Sequence, residues 1–162
     1  MKTNNKKQNR AALYIRVSSN EILEDARHDD TRHCDPESQK NVLRQFCKMQ
    51  GYTVDDQHIY EDVGYSGVSS VDERPALKRL VKNAKKKKFD VVVVYRLDRL
   101  ARNLKLSLGI LGDLSKHGVV LKSVSEPLDT SSAFGRSTMY LMLMFAEYEQ
   151  NVIEDRKRRC RC

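Results

Sequence analysis

The segment Asp90–Asn103, DVVVVYRLDRLARN, decides the fold of this chain. Val91–Val94 and Tyr95 form a short β-branched and aromatic run without a polar break, which is typical of a strand buried on both faces of a parallel sheet. The leucines that follow share one helical stripe and are Leu100, Leu104, Leu108 and Leu111. The segment therefore predicts a buried strand that leads directly into a helix.

Charged side chains gather where this strand is predicted to end. Asp98 occupies the position of a helix N-cap, and Arg96, Arg99 and Arg102 surround it. Open α/β sheets bind their ligands at the carboxyl ends of their strands, so three arginines here suggest a phosphate. On this segment alone, a solvated helix start with an aspartate cap accounts for the same residues equally well.

Composition points to one globular domain with an anionic partner. The chain has 162 residues, 40% of them hydrophobic and 32% charged, and a net charge of +8. This charge favours nucleic acid as the partner. Basic residues concentrate in Lys82–Lys88, which also fits a solvated helix end, and in Arg156–Arg161. The sequence shows neither an apolar run of membrane-spanning length nor an apolar signal core, so we expect a cytoplasmic location and no membrane partner.

Cysteine spacing predicts lone thiols. The four cysteines are Cys34, Cys47, Cys160 and Cys162. They fit neither a disulfide framework nor a zinc motif. Metal binding by His33-Cys34 or by Cys160 and Cys162 is the alternative, and we predict no metal site.

Strands and helices alternate along the rest of the chain. Further strands are predicted at Ala11–Val17, Tyr52–Tyr60 and Val119–Val124, and further helices at Pro36–Met49, after Arg74-Pro75, and toward the end of the chain. The first of these helices has a predicted apolar stripe of Val42, Leu43, Phe46 and Met49, and residues 62–67 are predicted to form a loop. The pattern predicts an α/β fold, namely a three-layer α/β/α domain with a mostly parallel sheet of four or five strands.

The last predicted helix is apolar around its whole circumference between Met139 and Ala146. One face of a small sheet cannot bury such a helix, so we expect a second subunit to cover it. An ordinary core helix is the alternative. The basic run that follows has no stop signal, which suggests that the chain is a fragment of a longer protein.

Several separate motifs resemble the catalytic domain of the serine site-specific recombinases, the resolvase/invertase superfamily. These motifs are Tyr14–Ser18 (YIRVS), Gln39, Tyr65–Gly67, Arg74–Leu77, Tyr95–Asn103, Gly135-Arg136, and Phe145–Glu149 with Asp155-Arg156. The Tyr-Ser-Gly and Arg-Pro motifs are more similar to those of the large serine recombinases. The resemblance covers nearly the whole chain, from about Ala11 to Arg159.

This resemblance implies a resolvase-like fold and a site for cutting DNA. Ser18 would be the nucleophile that forms a 5′-phosphoseryl link, and Gln39 would be a supporting polar residue. The residues that would bind the phosphate are Arg16, Arg74, Arg99 and Arg102, with Asp98 as the carboxylate among them. The family uses neither a metal nor another cofactor.

The resemblance also implies partners and a division of the chain. The partners are double-stranded DNA, a second copy in a homodimer, a tetramer in the synaptic complex, and an accessory factor that sets direction. The expected DNA-binding residues are Arg136, Arg156, Lys157, Arg158 and Arg159, and the expected dimer contacts are Met142, Phe145 and Tyr148. We expect a polar leader (1–10), a catalytic domain (11–135) and a long helix (136–162) cut before a DNA-binding domain.

The chemistry of the residues agrees with this resemblance. A serine hydroxyl is a weak nucleophile unless a neighbour activates it. None of the four histidines (His28, His33, His58 and His117) belongs to an apparent Ser/His/Asp set, although two could approach through the loop. Clustered arginines offer another route, because they favour an alkoxide and stabilise charge on phosphorus.

Two departures and two alternative functions complete the analysis. The segment between Ser18 and Gln39 is longer than in resolvases and contains the acidic stretch Glu24–Asp30, either an insertion or a cover over the site. Asp155 replaces a family glutamate. The alternatives to a recombinase are a non-enzymatic DNA-binding or oligomerisation module, and an unrelated phosphoesterase or nucleotide-binding domain. The latter is disfavoured because no glycine-rich phosphate loop opens a helix.

Overall fold

The computed structural model describes residues 10–19, 35–126 and 129–159. The strands in this part are β1 (Arg10–Val17), β2 (Thr53–Val63), β3 (Val91–Val94) and β4 (Val120–Ser123). The helices are α1 (Pro36–Met49), α2 (Pro75–Lys85), α3 (Leu97–Leu100), α4 (Leu104–Lys116) and α5 (Ala133–Arg159). None of these helices is long and apolar enough to cross a membrane. The acidic stretch 24–30 and three of the cysteines lie outside the described residues.

The described strands form one parallel sheet in the order β2-β1-β3-β4. Every residue of β3 is buried, as its unbroken valine run predicts. Alternate residues of the strands enter two separate cores. Val92 and Val94 pack on the side of α2, α4 and α5, whereas Val91 and Val93 pack on the side of α1. The predicted α/β fold with three layers and a parallel sheet is confirmed.

Local signals set several helix boundaries. The Asp35 side chain caps α1 by accepting a hydrogen bond from the Ser38 N–H at 2.9 Å. Pro36 and Pro75 occupy the first turns of α1 and α2, where their missing N–H groups need no partner. Gly51 and Gly118 follow α1 and α4 with φ angles of 73° and 72°. Glycine adopts this left-handed conformation without a steric penalty.

The prediction of a single helix after β3 is wrong, because the chain forms two helices there. The intervening Ala101 is extended, and the Asn103 side chain caps α4 by accepting a hydrogen bond from the Leu106 N–H. Asp98 lies in the first turn of α3, while Arg96 occupies its N-cap position. Leu108 is exposed, and the residues of α4 that enter the core are Ile110, Leu111 and Leu114.

The predicted apolar stripe of α1 is also partly wrong. Met49 is 83% exposed, whereas Gln39, Leu43 and Cys47 are the buried residues of this helix. Cys47 is a free thiol, and burial raises its pKa to about 11. A thiol with that pKa stays protonated and unreactive at neutral pH.

Helix α5 leaves most of its apolar residues uncovered. Met139 and Leu143 are buried against the sheet domain. Its exposed apolar residues are Phe134, Tyr140, Leu141, Met142, Met144, Phe145, Tyr148 and Ile153. An apolar surface of this extent is typical of an interaction site. The helix begins at Ala133, and the predicted division of the chain at residue 136 stays a prediction.

Candidate active site

The candidate site lies at the carboxyl end of the central strand β1. Arg16 is fully buried, and Ser18 follows the strand directly and is half-buried. The carbonyl of Val17 accepts a hydrogen bond from the Gly64 N–H at 2.7 Å, which fixes the turn after β2 beside Ser18. Because β3 is parallel to β1, α3 starts from the same edge, as the sequence predicts.

Arg16 and Arg99 hold each other through backbone carbonyls. Arg16 Nε donates to the Arg99 carbonyl at 3.2 Å, and Arg99 Nη1 donates to the Arg16 carbonyl at 3.3 Å. Arg16 also donates to the carbonyls of Asp98 at 3.2 Å and Tyr65 at 3.1 Å. The guanidinium of Arg16 therefore ties α3 and the loop after β2 to the end of β1.

Arg74 reaches the same place from the start of α2. It occupies the N-cap position with an extended backbone and is fully buried. Its Nη2 donates to the Arg99 carbonyl at 3.1 Å, and its Nε donates to the Tyr14 hydroxyl at 3.1 Å. Within the described residues, its Nη1 has no hydrogen-bond partner. A buried guanidinium with an unused N–H can bind a further acceptor, such as a phosphate oxygen.

Tyr14 and Asp62 hold Arg74, and the sequence analysis missed both. The Tyr14 hydroxyl donates to Asp62 Oδ2 at 2.8 Å while it accepts from Arg74. Asp62 also accepts the N–H groups of Ala76 and Leu77, at 2.9 and 3.0 Å, and so caps α2 from the end of β2. Burial raises the pKa of Tyr14. The hydroxyl therefore stays protonated and keeps donating to Asp62.

A sequence signal for Tyr14 was available. Side chains alternate between the two faces of a strand, so Tyr14 and Arg16 share one face. The structure places Tyr14 in the core beside α2, the helix that Arg74 precedes. No comparable signal existed for Asp62, because it was predicted to lie in a loop.

Arg102 lies against the loop after β2. Its N–H donates to the Gly67 carbonyl at 3.0 Å. A Cβ added at Gly67 would lie 2.7 Å from Arg102 Cγ and 3.2 Å from Arg16 Nη2. Glycine leaves room for this approach, which gives a physical reason for the glycine of the Tyr65–Gly67 motif.

Asp98 and Gln39 occupy different surroundings. Asp98 Oδ1 lies 3.6 Å from Arg96 Nε and 3.9 Å from Arg99 Nε, so its carboxylate is within ion-pair distance of both. Gln39 is fully buried on α1, and neither of its side-chain polar atoms has a hydrogen-bond partner in the described part of the chain. Burying an amide in this way costs about 1–3 kcal/mol. The supporting role of Gln39 stays a prediction.

The described histidines lie away from this edge. His58 packs against Tyr60 and Phe89 near the amino-terminal end of β1. His117 follows the last turn of α4, which precedes β4. His28 and His33 lie outside the described residues. The charge of the assembled site is positive, because Arg16, Arg74, Arg99 and Arg102 outnumber Asp62 and Asp98.

The basic residues predicted to bind DNA are spread along α5. Arg136 is half-buried and donates to the carbonyls of Thr130 and Ser131, at 3.0 and 3.5 Å. Arg156 and Arg158 are exposed near the other end of the helix, about 30 Å away at 1.5 Å per residue. The side chains of Lys157 and Arg159 lie outside the described part. The described members, Arg136, Arg156 and Arg158, therefore do not form one compact basic patch.

Comparison with known proteins identifies the family. The family model described as "Resolvase, N terminal domain" matches residues 11–161. The chain belongs to the resolvase N-terminal domain family.

Related proteins agree with this assignment. The resolvase domain is 37% identical over 100 residues to the serine recombinase Gin of Escherichia phage Mu, which covers 62% of the chain and 49% of that protein. It is similar to the N-terminal catalytic domain of TP901-1 integrase, with a TM-score of 0.67 and 32% identity over 88% of this chain and 98% of that one. A resolvase family site-specific recombinase from Streptococcus pneumoniae gives a TM-score of 0.65 at 28% identity, covering 93% and 94% of the two chains. The resolvase domain spans about half the length of the Gin protein that it matches.

Proposed function

We propose that this resolvase domain is the catalytic part of a serine site-specific recombinase, which cuts double-stranded DNA through Ser18 and rejoins it to a new partner strand. The observation that carries the proposal is the assembly of Arg16, Arg74, Arg99 and Arg102 at the edge of the sheet where Ser18 follows β1. These arginines come from three separate segments of the chain. A solvated helix start would not bring them together.

The reaction exchanges phosphodiester bonds. Ser18 Oγ attacks a DNA phosphorus and forms a phosphoserine ester while the bond from phosphorus to the 3′-oxygen breaks. The 3′-oxygen takes up a proton and leaves as a hydroxyl, and the 5′ end stays linked to Ser18. In the second step the 3′-hydroxyl of another strand attacks the same phosphorus and releases Ser18. One ester replaces another in each step, so neither step needs a high-energy cofactor.

The arginines supply the catalytic electrostatics. The attacked phosphorus becomes pentacoordinate and gains negative charge, which fixed guanidinium groups stabilise without further reorganisation. Guanidinium matches two phosphate oxygens at once, which an ammonium group cannot do. Removing one donor of this kind typically costs about 3–4 kcal/mol of barrier. The buried Arg74 Nη1 is well suited to the role, since its neighbouring nitrogens are already held by Tyr14 and Arg99.

The assembly that we propose is a homodimer on each DNA site and a tetramer in the synaptic complex. Support comes from α5, where Met142, Phe145 and Tyr148 are exposed, with Phe145 and Tyr148 each at 67%. The basic residues at the end of this helix, Arg156–Arg159, would contact DNA phosphates beyond the dimer. An accessory factor would set the direction of recombination.

Covalent trapping tests the proposed reaction. The full-length protein would be incubated with fragmented DNA from its source and quenched with denaturant, and protein-linked ends would be sequenced. We expect linked 5′ ends with the wild type and none with Ser18→Ala. Ser19→Ala is the matched control, because the Ser19 hydroxyl donates to the Gly64 carbonyl at 3.0 Å and has no proposed part in the chemistry. This variant should keep forming linked ends.

The outcomes separate the competing functions. Linked ends that persist in Ser18→Ala would overturn the nucleophile assignment. A folded wild type that binds DNA and forms no link, even on nicked DNA, would favour the non-enzymatic module. Arg102→Ala should slow cleavage by at least about 100-fold, while Arg79→Ala should not. Arg79 is a matched arginine that stacks on Tyr60 outside the site.

A further inference from the structure

We propose that Glu126 is a positioning residue that fixes the start of α3, and with it Asp98 and Arg99, for the cleavage reaction. This inference rests on the proposed function. Glu126 belongs to the segment after β4, and no sequence motif singled it out. It is half-buried, and its Oε2 accepts a hydrogen bond from the Leu97 N–H at 3.1 Å.

The first argument is that α3 is too short to be stable without contacts from the rest of the chain. It has only four residues, and its backbone hydrogen bonds include Arg99 N–H to the Arg96 carbonyl and Ala101 N–H to the Leu97 carbonyl. Isolated helices of this length are unstable in water. The Arg96 side chain makes no cap hydrogen bond. The Glu126 carboxylate from another part of the chain takes the place of the missing cap.

The second argument is that Glu126 is itself held firmly. The Ser123 hydroxyl donates to the same Oε2 atom, and Ser123 is buried. The backbone N–H groups of Val124 and Ser125 donate to the carbonyls of Val94 and Tyr95, both at 3.0 Å. The segment after β4 therefore runs alongside the segment after β3 as far as Glu126. A carboxylate fixed in this way can define the position of the Leu97 amide.

The third argument is the division of contacts around α3. Arg16 and Arg74 hold its carboxyl-terminal side through the carbonyls of Asp98 and Arg99. Glu126 holds its amino-terminal side through Leu97. Loss of Glu126 would leave α3 free to tilt about the arginine contacts. A small tilt would move Asp98 and Arg99, and a displacement of about 1 Å at a catalytic group can cost about 100-fold in rate.

Helix α5 shares this contact. Glu126 lines a cavity of about 140 Å³ together with Leu97, Asp98, Met142 and Leu143. Glu126 therefore lies where the start of α3 meets the helix that we propose as the dimer interface. A shift of α5 would reach Asp98 through the walls of this cavity.

Three variants of the full-length protein test the inference. Glu126→Ala removes the acceptor, whereas Glu126→Gln keeps one oxygen in place. Both hydrogen bonds of the wild type end on a single oxygen, so glutamine can accept both. Asp129→Ala is the matched control, because it removes a salt bridge to Lys122 at 2.8 Å from the same segment without touching α3.

Hydrogen exchange and cleavage give two independent readouts. In Glu126→Ala we expect the Leu97, Arg99 and Ala101 amides to exchange at least about tenfold faster, since exchange follows local opening. Cleavage of the DNA recovered by covalent trapping should slow by about 10- to 100-fold with unchanged DNA affinity. Glu126→Gln should restore both readouts to near wild-type values, and Asp129→Ala should change neither.

Contrary outcomes are distinct. Unchanged exchange in Glu126→Ala would overturn the anchoring role, and wild-type cleavage would overturn the positioning role. If Glu126→Gln behaves like Glu126→Ala, the charge of Glu126 and not its hydrogen bonds would hold α3, which would refute the inference. If the wild type forms no adduct, the proposed function fails, while the exchange measurement still decides whether Glu126 anchors α3.

Discussion

Replacing Tyr14 with phenylalanine removes one oxygen atom from the buried group that holds Arg74. The hydroxyl accepts hydrogen bonds from Arg74 Nε and Nη2 and donates one to Asp62 Oδ2. All three side chains are fully buried, so water cannot replace the missing oxygen. The variant therefore leaves a buried cation with fewer partners, without changing the size of the core residue appreciably.

The magnitude follows from what Arg74 retains. Hydrogen bonds to charged groups contribute about 1.5–3 kcal/mol each to stability. Arg74 keeps the Arg99 carbonyl at 3.1 Å and the Asp62 carboxylate at 3.9 Å, which offset part of the loss. We expect the free energy of unfolding to fall by about 2–3 kcal/mol. For a chain of this size, the melting temperature should fall by about 5–10 °C.

Urea and thermal denaturation of the purified chain measure this change. Tyr60→Phe is the matched control, because Tyr60 is equally buried and its hydroxyl accepts from the neutral Asn83 amide at 2.8 Å and lies 3.3 Å from the His58 ring nitrogen Nδ1, with no arginine of the described residues among its hydrogen-bond partners. That variant should lose about 1 kcal/mol or less. Equal losses of unfolding free energy in the two variants would refute the argument. They would show that a hydroxyl bonded to the charged Arg74 stabilises the fold no more than one bonded to a neutral amide.

Four further predictions concern other parts of the molecule. Burial lowers the pKa of His58 below its usual 6.5. Its protonation therefore favours the unfolded chain, and stability should fall as the pH drops through 6.5, less steeply in His58→Gln. Gly109→Ala should stabilise α4 by up to about 1 kcal/mol, because nothing lies within 4 Å of the added Cβ. Gly135→Ala should destabilise the chain by at least about 1–3 kcal/mol, because its Cβ would meet the Asp129 carbonyl oxygen. Phe145→Glu should shift the proposed dimer toward monomer, since Phe145 is exposed on the proposed interface.

The measurements for these predictions are direct. Urea titrations at pH 5 to 7.5 give the pH dependence, and equal slopes in the wild type and His58→Gln would show that His58 is not its source. The same titrations at pH 7.5 rank the two glycine variants, and a loss of stability in Gly109→Ala would contradict the open space at that position. Analytical ultracentrifugation gives the oligomeric states of the wild type and of Phe145→Glu, and the same state in both would remove Phe145 from the proposed interface.

Much of the fold could be predicted from the sequence because its signals are local. The valine run of β3, the proline at the start of α2 and the glycine after α1 each act on their immediate neighbours. The break between α3 and α4 was missed because it depends on a tertiary contact. The Arg102 N–H bonds to the Gly67 carbonyl instead of continuing the helix, and Asn103 then caps a new one.

Part of the site could be predicted because the positions of the strand ends follow from the sequence pattern. The strand ends brought Arg16 and Arg99 together, as expected from parallel topology. Asp62 and Glu126 were missed because their roles consist of hydrogen bonds to distant parts of the chain. The partners of Asp62 lie 14 and 15 positions further along the chain, and the partner of Glu126 lies 29 positions before it. Gln39 was expected to be a polar residue near the site, and its complete burial follows from the face of α1 that turns inward.

The position of β1 has a consequence for how the protein is made. Among the described strands it comes first along the chain, yet it occupies an interior place in the sheet, with β2 on one side and β3 on the other. During synthesis Ser18 leaves the ribosome well before Arg74, Arg99 and Arg102, and parallel pairings of this separation form late in folding. A nascent chain that carries the serine therefore has no assembled arginine cluster. On the proposed function, the newborn polypeptide meets the cell's DNA before its cleavage site is assembled.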